Sequence, residues 1–428
     1  MNLNEFVNAV TSGAFDDKFE MLYGASDRSV LRHRARYLSA AENFSRIYPQ
    51  CGEIRVFSAP GRTEIGGNHT DHQHGRVIAA AVDTDAIAIV SLNDENIIRI
   101  TSSGFPDISI VPGDTAMRPD ERNTTAALVR GIAAGFTDIG VEVGGFDAYI
   151  TSEIAPGSGL ASSAAFEVLT AYIIDRCFNA GASSPFELAG IAHAAESSYY
   201  GKASGLMDQT VSAVGGFVFI DFGVPEEPAV RKIGFDFSRA GYSLCITNTG
   251  EDHAAASEEY SAITAEMKSV AKALGKKHLA DCSESEFYEK LPELRKVCGD
   301  RAILRAAHFF GDDLRAELEA DALSIGDTVE FFNHVNGSGR SSCELLQNIY
   351  SCREPERQGV SIALMMSRRF LGENGAVRVH GGGFGGTVQA FVPNYLTEDY
   401  TAEMERIFGP GSCRTHVIRP AGAYELEK

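Results

Sequence analysis

Apolar positions first recur at helical spacing through Phe15–Leu22 and again through Val30–Ile47, with Gly24 between the two stretches. That periodicity predicts a helical preface over residues 1 to about 50. The pattern then turns to strands. GEIRVFSAP (52–60) reads as a strand that ends at Pro60-Gly61. The β-branched runs RVIAAAVDTDAIAIVSL (76–92) and NIIRITSS (96–103) follow, separated by the turn-prone Asn93-Asp94. Thr124–Phe136 is expected to be helical and GGFDAYITSEI (144–154) to be a strand. APGSGLASSAAFEVLTAYIIDRCF (155–178) passes from a Gly-rich turn directly into a long apolar helix. Near Gly241 a second half opens with the strand YSLCITNTG and runs through charged helices to about residue 370. It closes with a hairpin-like pair, AVRVH and TVQAFV, around a glycine cluster.

Strands and helices interleave in both halves, and neither a fixed-period repeat nor a low-complexity linker is present. The fold class is therefore α+β or α/β, and 428 residues suit two domains. The boundary is expected near 222–240, with Pro225–Pro228 as the crossover. The working division is a helical extension over 1–50, an N-terminal domain over 51–235 and a C-terminal domain over 236–428.

Charge narrows the partners. The 38 Lys+Arg against 58 Asp+Glu give a net charge of −20, and no dense basic run appears. This speaks against nucleic acid and anionic membranes. It does not exclude a small polyanionic ligand, whose site is set by a few local donors. No apolar stretch reaches the length of a membrane span, and MNLNEFVNAVTSGAFDD lacks a secretory pattern. Eight cysteines without a C-x-x-C pair read as reduced thiols, so the cytoplasm is the expected compartment. The oligomeric state is not legible.

Four segments carry candidate chemistry. In PGSGLASSAA (156–165), Gly157 and Gly159 let backbone amides approach a ligand, and the helix that follows offers its N-terminal N–H groups to a phosphate. Ser162 and Ser163 in its first turn could donate to phosphate oxygens or bind Mg²⁺. The competing reading is a plain turn with serine N-caps. No G-x-x-x-x-G-K-[ST] is present, which disfavours a P-loop ATPase. HGGGFGGT (380–387) formally contains G-x-G-x-x-G. A strand follows it instead of a helix, so it is not a dinucleotide fingerprint. GRTEIGGNHTDHQHG (61–75) packs Arg62, Glu64, Asn68, His69, Asp71, His72 and His74 into fifteen residues. A polyol site fits these donors and acceptors best, ahead of a zinc site or a polar surface loop. In AESSYYGKASGLMDQ (195–209), Glu196 falls on a helical stretch where a solvated face is the ordinary expectation. Asp208 sits at the edge of an apolar run, where an unpartnered carboxylate is costly.

Together these segments resemble the galactokinases, within the superfamily that also holds homoserine, mevalonate and phosphomevalonate kinases. Its three motifs occur in order across residues 59–391. APGR…HTD, GLMDQ and NTGEDHAAASEEY (248–260) point to the sugar kinases. The resemblance implies a two-domain α+β fold with a ferredoxin-like C-terminal domain and a site in the cleft between domains. It implies transfer of the ATP γ-phosphate to the anomeric hydroxyl of galactose, with Mg²⁺ as cofactor. Asp208 would be the catalytic carboxylate, paired with Arg62. Sugar contacts would come from Asn68, His69, Asp71, Gly205 and Tyr260, as well as from Asp208. The nucleotide would lie on Gly157, Ser158, Gly159, Leu160, Ala161, Ser162 and Ser163, with Ser102 nearby, and Ser163 and Glu196 would serve Mg²⁺. His380–Gly386 would support the phosphate loop. Galactokinases usually carry Glu at the position of Asn68, Asn at Glu64, Tyr at His72 and a basic residue at Asp252. These departures leave a related sugar such as galacturonate, or a non-catalytic sugar sensor, as alternatives to galactose.

Overall fold

The long strand Arg76–Asn93 owes its length to an almost unbroken apolar run whose alternate side chains enter different cores. Ala86, Ala88 and Val90 pack into one and Ile87 and Ile89 into the other, as the two-residue period of a pleated strand requires. The computed structural model describes residues 1–155, 158–202, 205–224, 227–251 and 257–427. Its described strands are β1 (Ile54–Gly66), β2 (Arg76–Asn93), β3 (Ile98–Ser102), β4 (Ile108–Ile110), β5 (Gly145–Ser152), β6 (Phe217–Asp221), β7 (Ala229–Ile233), β8 (Tyr242–Asn248), β9 (Ala376–His380), β10 (Thr387–Pro393), β11 (Cys413–His416) and β12 (Tyr424–Glu425).

These strands form two sheets. The first runs β12-β1-β2-β5-β3-β4, with β6 joining β2 to β7; the second runs β11-β8-β10-β9. The fold is mixed α+β, built on two separate sheets. Helices Thr125–Asp138, Ser162–Phe178 and Pro185–Ala194 cover one face of the first sheet, through Val129, Ile132, Val168, Ile173 and Leu188. The second sheet is apolar on both faces. Val379, Val388 and Ala390 meet Val360, Leu364 and Tyr400, whereas Leu244 and Phe391 meet Phe331, Phe332 and Val335.

One feature differs from the expectations above. β1 does not end at Pro60-Gly61 but continues to Gly66, with register shifts between Pro60 and Arg62 and between Glu64 and Gly66. Proline cannot donate to the ladder, and an irregularity there lets pairing resume beyond it. This extension is what carries Arg62 and Glu64 on a strand. The expected N-terminal helices are present, as Leu3–Ser12, Asp16–Tyr23 and Asp27–Ile47. Phe6, Phe15, Phe19, Tyr37 and Phe44 pack on Ile54, Val56, Ile87 and Ile89 across the other face of the first sheet. Beneath them Asp85, wholly buried, accepts from Tyr23 at 2.6 Å, Arg36 at 2.5 Å and Arg419 at 2.8 Å. A buried carboxylate survives there because two guanidinium groups neutralise it. Pro225, in the expected crossover, lies outside the described residues.

Candidate active site

Ser162 opens a 17-residue helix whose N-cap is Ala161, at φ +56° and with no side-chain cap. The serine-cap reading is thereby corrected: Ser162 and Ser163 are the first two helical residues, and no side chain occupies the first-turn amides. A helix terminus left in this state suits an anion. Ser163 is exposed at this terminus and Leu160 is buried beneath the loop. The hydroxyl of Ser158 is buried without a hydrogen-bond partner, and so is that of Ser102 at the end of β3. β3 runs parallel to β5, with Ser102 beside Ile150, so Ser102 lies at the sheet end from which the phosphate-loop segment departs. A Cβ at Gly159 would lie 3.0 Å from the His380 ring, so this loop touches the glycine cluster after β9. Gly157 is outside the described residues.

Arg62 joins this loop to the candidate base. Its Nε and one terminal nitrogen donate to the two oxygens of Asp208 at 2.7 and 2.8 Å, and the other donates to the carbonyl of Gly159 at 2.5 Å. The planar fork fixes the Asp208 carboxylate in orientation as well as position. Asp208 stands in the first turn of helix Met207–Val214 and keeps 30% of its side chain exposed, enough to meet a ligand.

On the other side of Asp208 lies the polar loop. A Cβ at Gly205 would come within 2.8 Å of Asp71 Oδ2. Asp71 Oδ1 accepts from the backbone and ring of His72, at 2.8 and 2.7 Å. Burial works against the charge of Asp71, but the His72 imidazolium and its hydrogen bonds hold the carboxyl at about 2. The same pair raises His72 to about 9. Burial, and then the charge of His72, lowers His69 to about 4, so His69 is neutral. Its Nε2 lies 3.0 Å from the carbonyl of Gly382. Tyr260 donates to the carbonyl of Gly383 at 2.9 Å, and its ring centre is 6.2 Å from that of His69. The glycine cluster thus holds both His69 and Tyr260.

Asn68 is buried in a polar network. Its amide donates to Glu64 Oε1 and to the carbonyl of Gly381, both at 2.8 Å, while its oxygen accepts from Asn348 at 2.8 Å. Burial pushes Glu64 up to about 7, and Arg378 at 3.2 Å opposes that rise. Glu196 is also buried. It lies in the wider π-helical turn Ala195–Tyr200, so the solvated-face reading is corrected. Its carboxylate accepts from Lys202 at 2.6 Å and from Gln209 at 3.0 Å, and Gln209 also donates to the buried Glu167. Sequence reasoning missed Lys202, Gln209, Glu167 and Arg378. Gln209 follows Asp208 directly in GLMDQ, but a side chain that bridges two distant carboxylates leaves no local spacing to read.

Among the described residues no cluster of three or more His, Cys, Asp or Glu side chains could hold a metal. One carboxylate and one serine hydroxyl are an oxygen-only set. That set fits a Mg²⁺ ion whose other ligands are phosphates and water.

Comparison with known proteins matches residues 126–216 to the GHMP kinases N terminal domain, and residues 42–92 to the galactokinase galactose-binding signature. The chain is similar to the galactokinases, within the wider GHMP kinases. A galactokinase of Streptomyces coelicolor is 29% identical over 91% of this chain and 98% of its own length. One from Actinobacillus pleuropneumoniae is 28% identical over 84% and 90%. The structure of Lactococcus lactis galactokinase complexed with galactose superposes with a TM-score of 0.76 at 22% identity, covering 91% of this chain and 99% of that one. Methanococcus jannaschii mevalonate kinase follows the same fold with a TM-score of 0.61 at 17% identity, over 86% and 99%. The galactose-binding match spans β1, the polar loop and most of β2, where Arg62, Asn68, His69 and Asp71 reside.

Proposed function

We propose that the protein is a cytoplasmic galactokinase, transferring the γ-phosphate of ATP to the anomeric hydroxyl of galactose. The observation that carries this reading is the position of Asp208, clamped by Arg62 against the Gly159 carbonyl and neighboured through Gly205 by Asp71. A sugar hydroxyl lying against Asp208 would face the phosphate loop. Asp208 would align that hydroxyl and accept its proton as the oxygen attacks phosphorus. Arg62 would offset charge developing on the transferring group, and the uncapped helix terminus after Ala161 would hold the nucleotide phosphates. Asp71, His69, Tyr260 and Asn68 would orient the sugar. Ser163 and Glu196 would hold Mg²⁺, which neutralises phosphate charge when bound. Eight free thiols fit a reducing compartment, and among the described residues no helix is long and apolar enough to cross a membrane.

A second reading has one specific support. Asn68 presents a neutral amide beside Glu64, which is held near 7, so this end of the site carries less fixed negative charge than a free carboxylate would give it. A sugar bearing a carboxylate at C6 would meet less repulsion there. Initial rates of Mg²⁺-ATP-dependent ADP release on galactose, galacturonate and other free sugars test both readings and the sensor alternative together. Galactose should give the highest kcat/KM. Preference for galacturonate would transfer the assignment to the second reading, and ADP release with neither sugar would refute both.

A further inference from the structure

Glu196 is 3% exposed, and its two oxygens are held by unlike partners. Oε2 accepts from Gln209 Nε2 at 3.0 Å, and the same amide donates to Glu167 Oε2 at 2.9 Å. Gln209 and Glu167 are both buried, so this grip is fixed. Oε1 instead accepts from the Lys202 ammonium at 2.6 Å, and the lysine side chain is 53% exposed. The second grip is physically easy to open. Lys202 presents a point charge on a flexible stem, without the planar fork that fixes Arg62 on Asp208, and water is at hand to solvate it. The carboxylate has no such escape. Stripped of Lys202 it would be a buried charge linked by Gln209 to a second carboxyl, Glu167, whose Oε1 has no hydrogen-bond partner. A cation arriving at the same oxygen would offset the cost of opening the contact.

We propose that Lys202 is a resident counter-ion for Glu196: the carboxylate exchanges the ammonium for the divalent cation that accompanies the nucleotide. Gln209 keeps Oε2 in place during the exchange, so only Oε1 changes partner. Lys202 is then a positioning residue that preserves the cation site between turnovers, and its freed charge becomes available to an anionic phosphate. This inference rests on Glu196 as the cation ligand in the proposed function.

Mn²⁺ binding to the full-length protein without nucleotide separates the two ideas. Free Mn²⁺ would be followed by electron paramagnetic resonance, with thermal unfolding at matched Mn²⁺ concentrations as a second readout. Lys202→Met leaves no ammonium to displace, so Mn²⁺ should bind about 5-fold tighter and raise the unfolding temperature more than in the wild type. Lys202→Gln, also uncharged, should behave alike and covers the case in which the methionine variant folds poorly. Glu196→Gln should lose the binding. Unchanged or weaker affinity in both Lys202 variants, with binding lost in Glu196→Gln, would overturn the exchange and leave Glu196 as ligand. Wild-type affinity in Glu196→Gln would overturn the ligand assignment itself, and the exchange with it.

Discussion

Arg62 and Asp208 meet through two parallel hydrogen bonds of 2.7 and 2.8 Å, although 146 positions separate them in the chain. The remaining terminal nitrogen of Arg62 reaches the Gly159 carbonyl at 2.5 Å, so a single guanidinium ties the candidate base to the phosphate loop. Lysine keeps the charge of Arg62 but lacks the planar fork that engages both Asp208 oxygens in parallel while reaching Gly159. Arg62→Lys is expected to lower kcat by about 10²-fold, since the loss falls on groups aligned for the transition state. Steady-state kinetics check this: a change confined to the KM for sugar would make Arg62 a binding residue only.

Gly205 has no side chain because Asp71 Oδ2 occupies the space a Cβ would need, 2.8 Å away. Gly205→Ala should push the Asp71 carboxylate off its position against His72. The KM for sugar is expected to rise about 10-fold, with kcat changing less. Unfolding temperature should stay close to wild type, since Gly205 is exposed. An unaltered sugar KM would show that Asp71 does not face the substrate.

Glu64 gives the fold a pH dependence of definite sign. Its folded value of about 7 lies above the usual 4.5, chiefly through burial, so the native state holds a proton that the unfolded chain releases between those values. Its contribution to stability is complete below pH 4.5 and is lost as pH rises through 7, by about 3 kcal/mol at most. Urea unfolding at pH 5.5 and pH 8 should therefore show a smaller pH difference in Glu64→Gln than in the wild type. An identical difference in the two proteins would remove Glu64 as its source.

Much of this arrangement was legible in the sequence, and the part that was not has physical reasons. The strand periods of 76–92 and 96–103 read correctly because apolar alternation and a turn dipeptide mark β2 and β3 locally. β1 read short because proline ordinarily ends a ladder, whereas here the register shifts and pairing resumes. The glycine-bounded segments at 61–75 and 380–387 declared themselves by composition. The burial of Glu196 was not legible in its own helical stretch, because its partners, Lys202 and Gln209, enter from a later turn and a separate helix. The sheet-covering role of residues 1–50 was equally hidden, since Asp85 meets Tyr23, Arg36 and Arg419 only after the chain has closed around it.

Substituting Asp208 by asparagine nearly keeps the shape of the side chain but removes its charge, its capacity to take a proton and one of the two oxygens that accept from Arg62, so coupled ADP release from galactose, measured beside ATP affinity, is the sharpest trial. Turnover should fall by at least about 10³-fold while nucleotide affinity stays within a few-fold of wild type. Turnover near the wild-type level in Asp208→Asn would contradict the account at its centre.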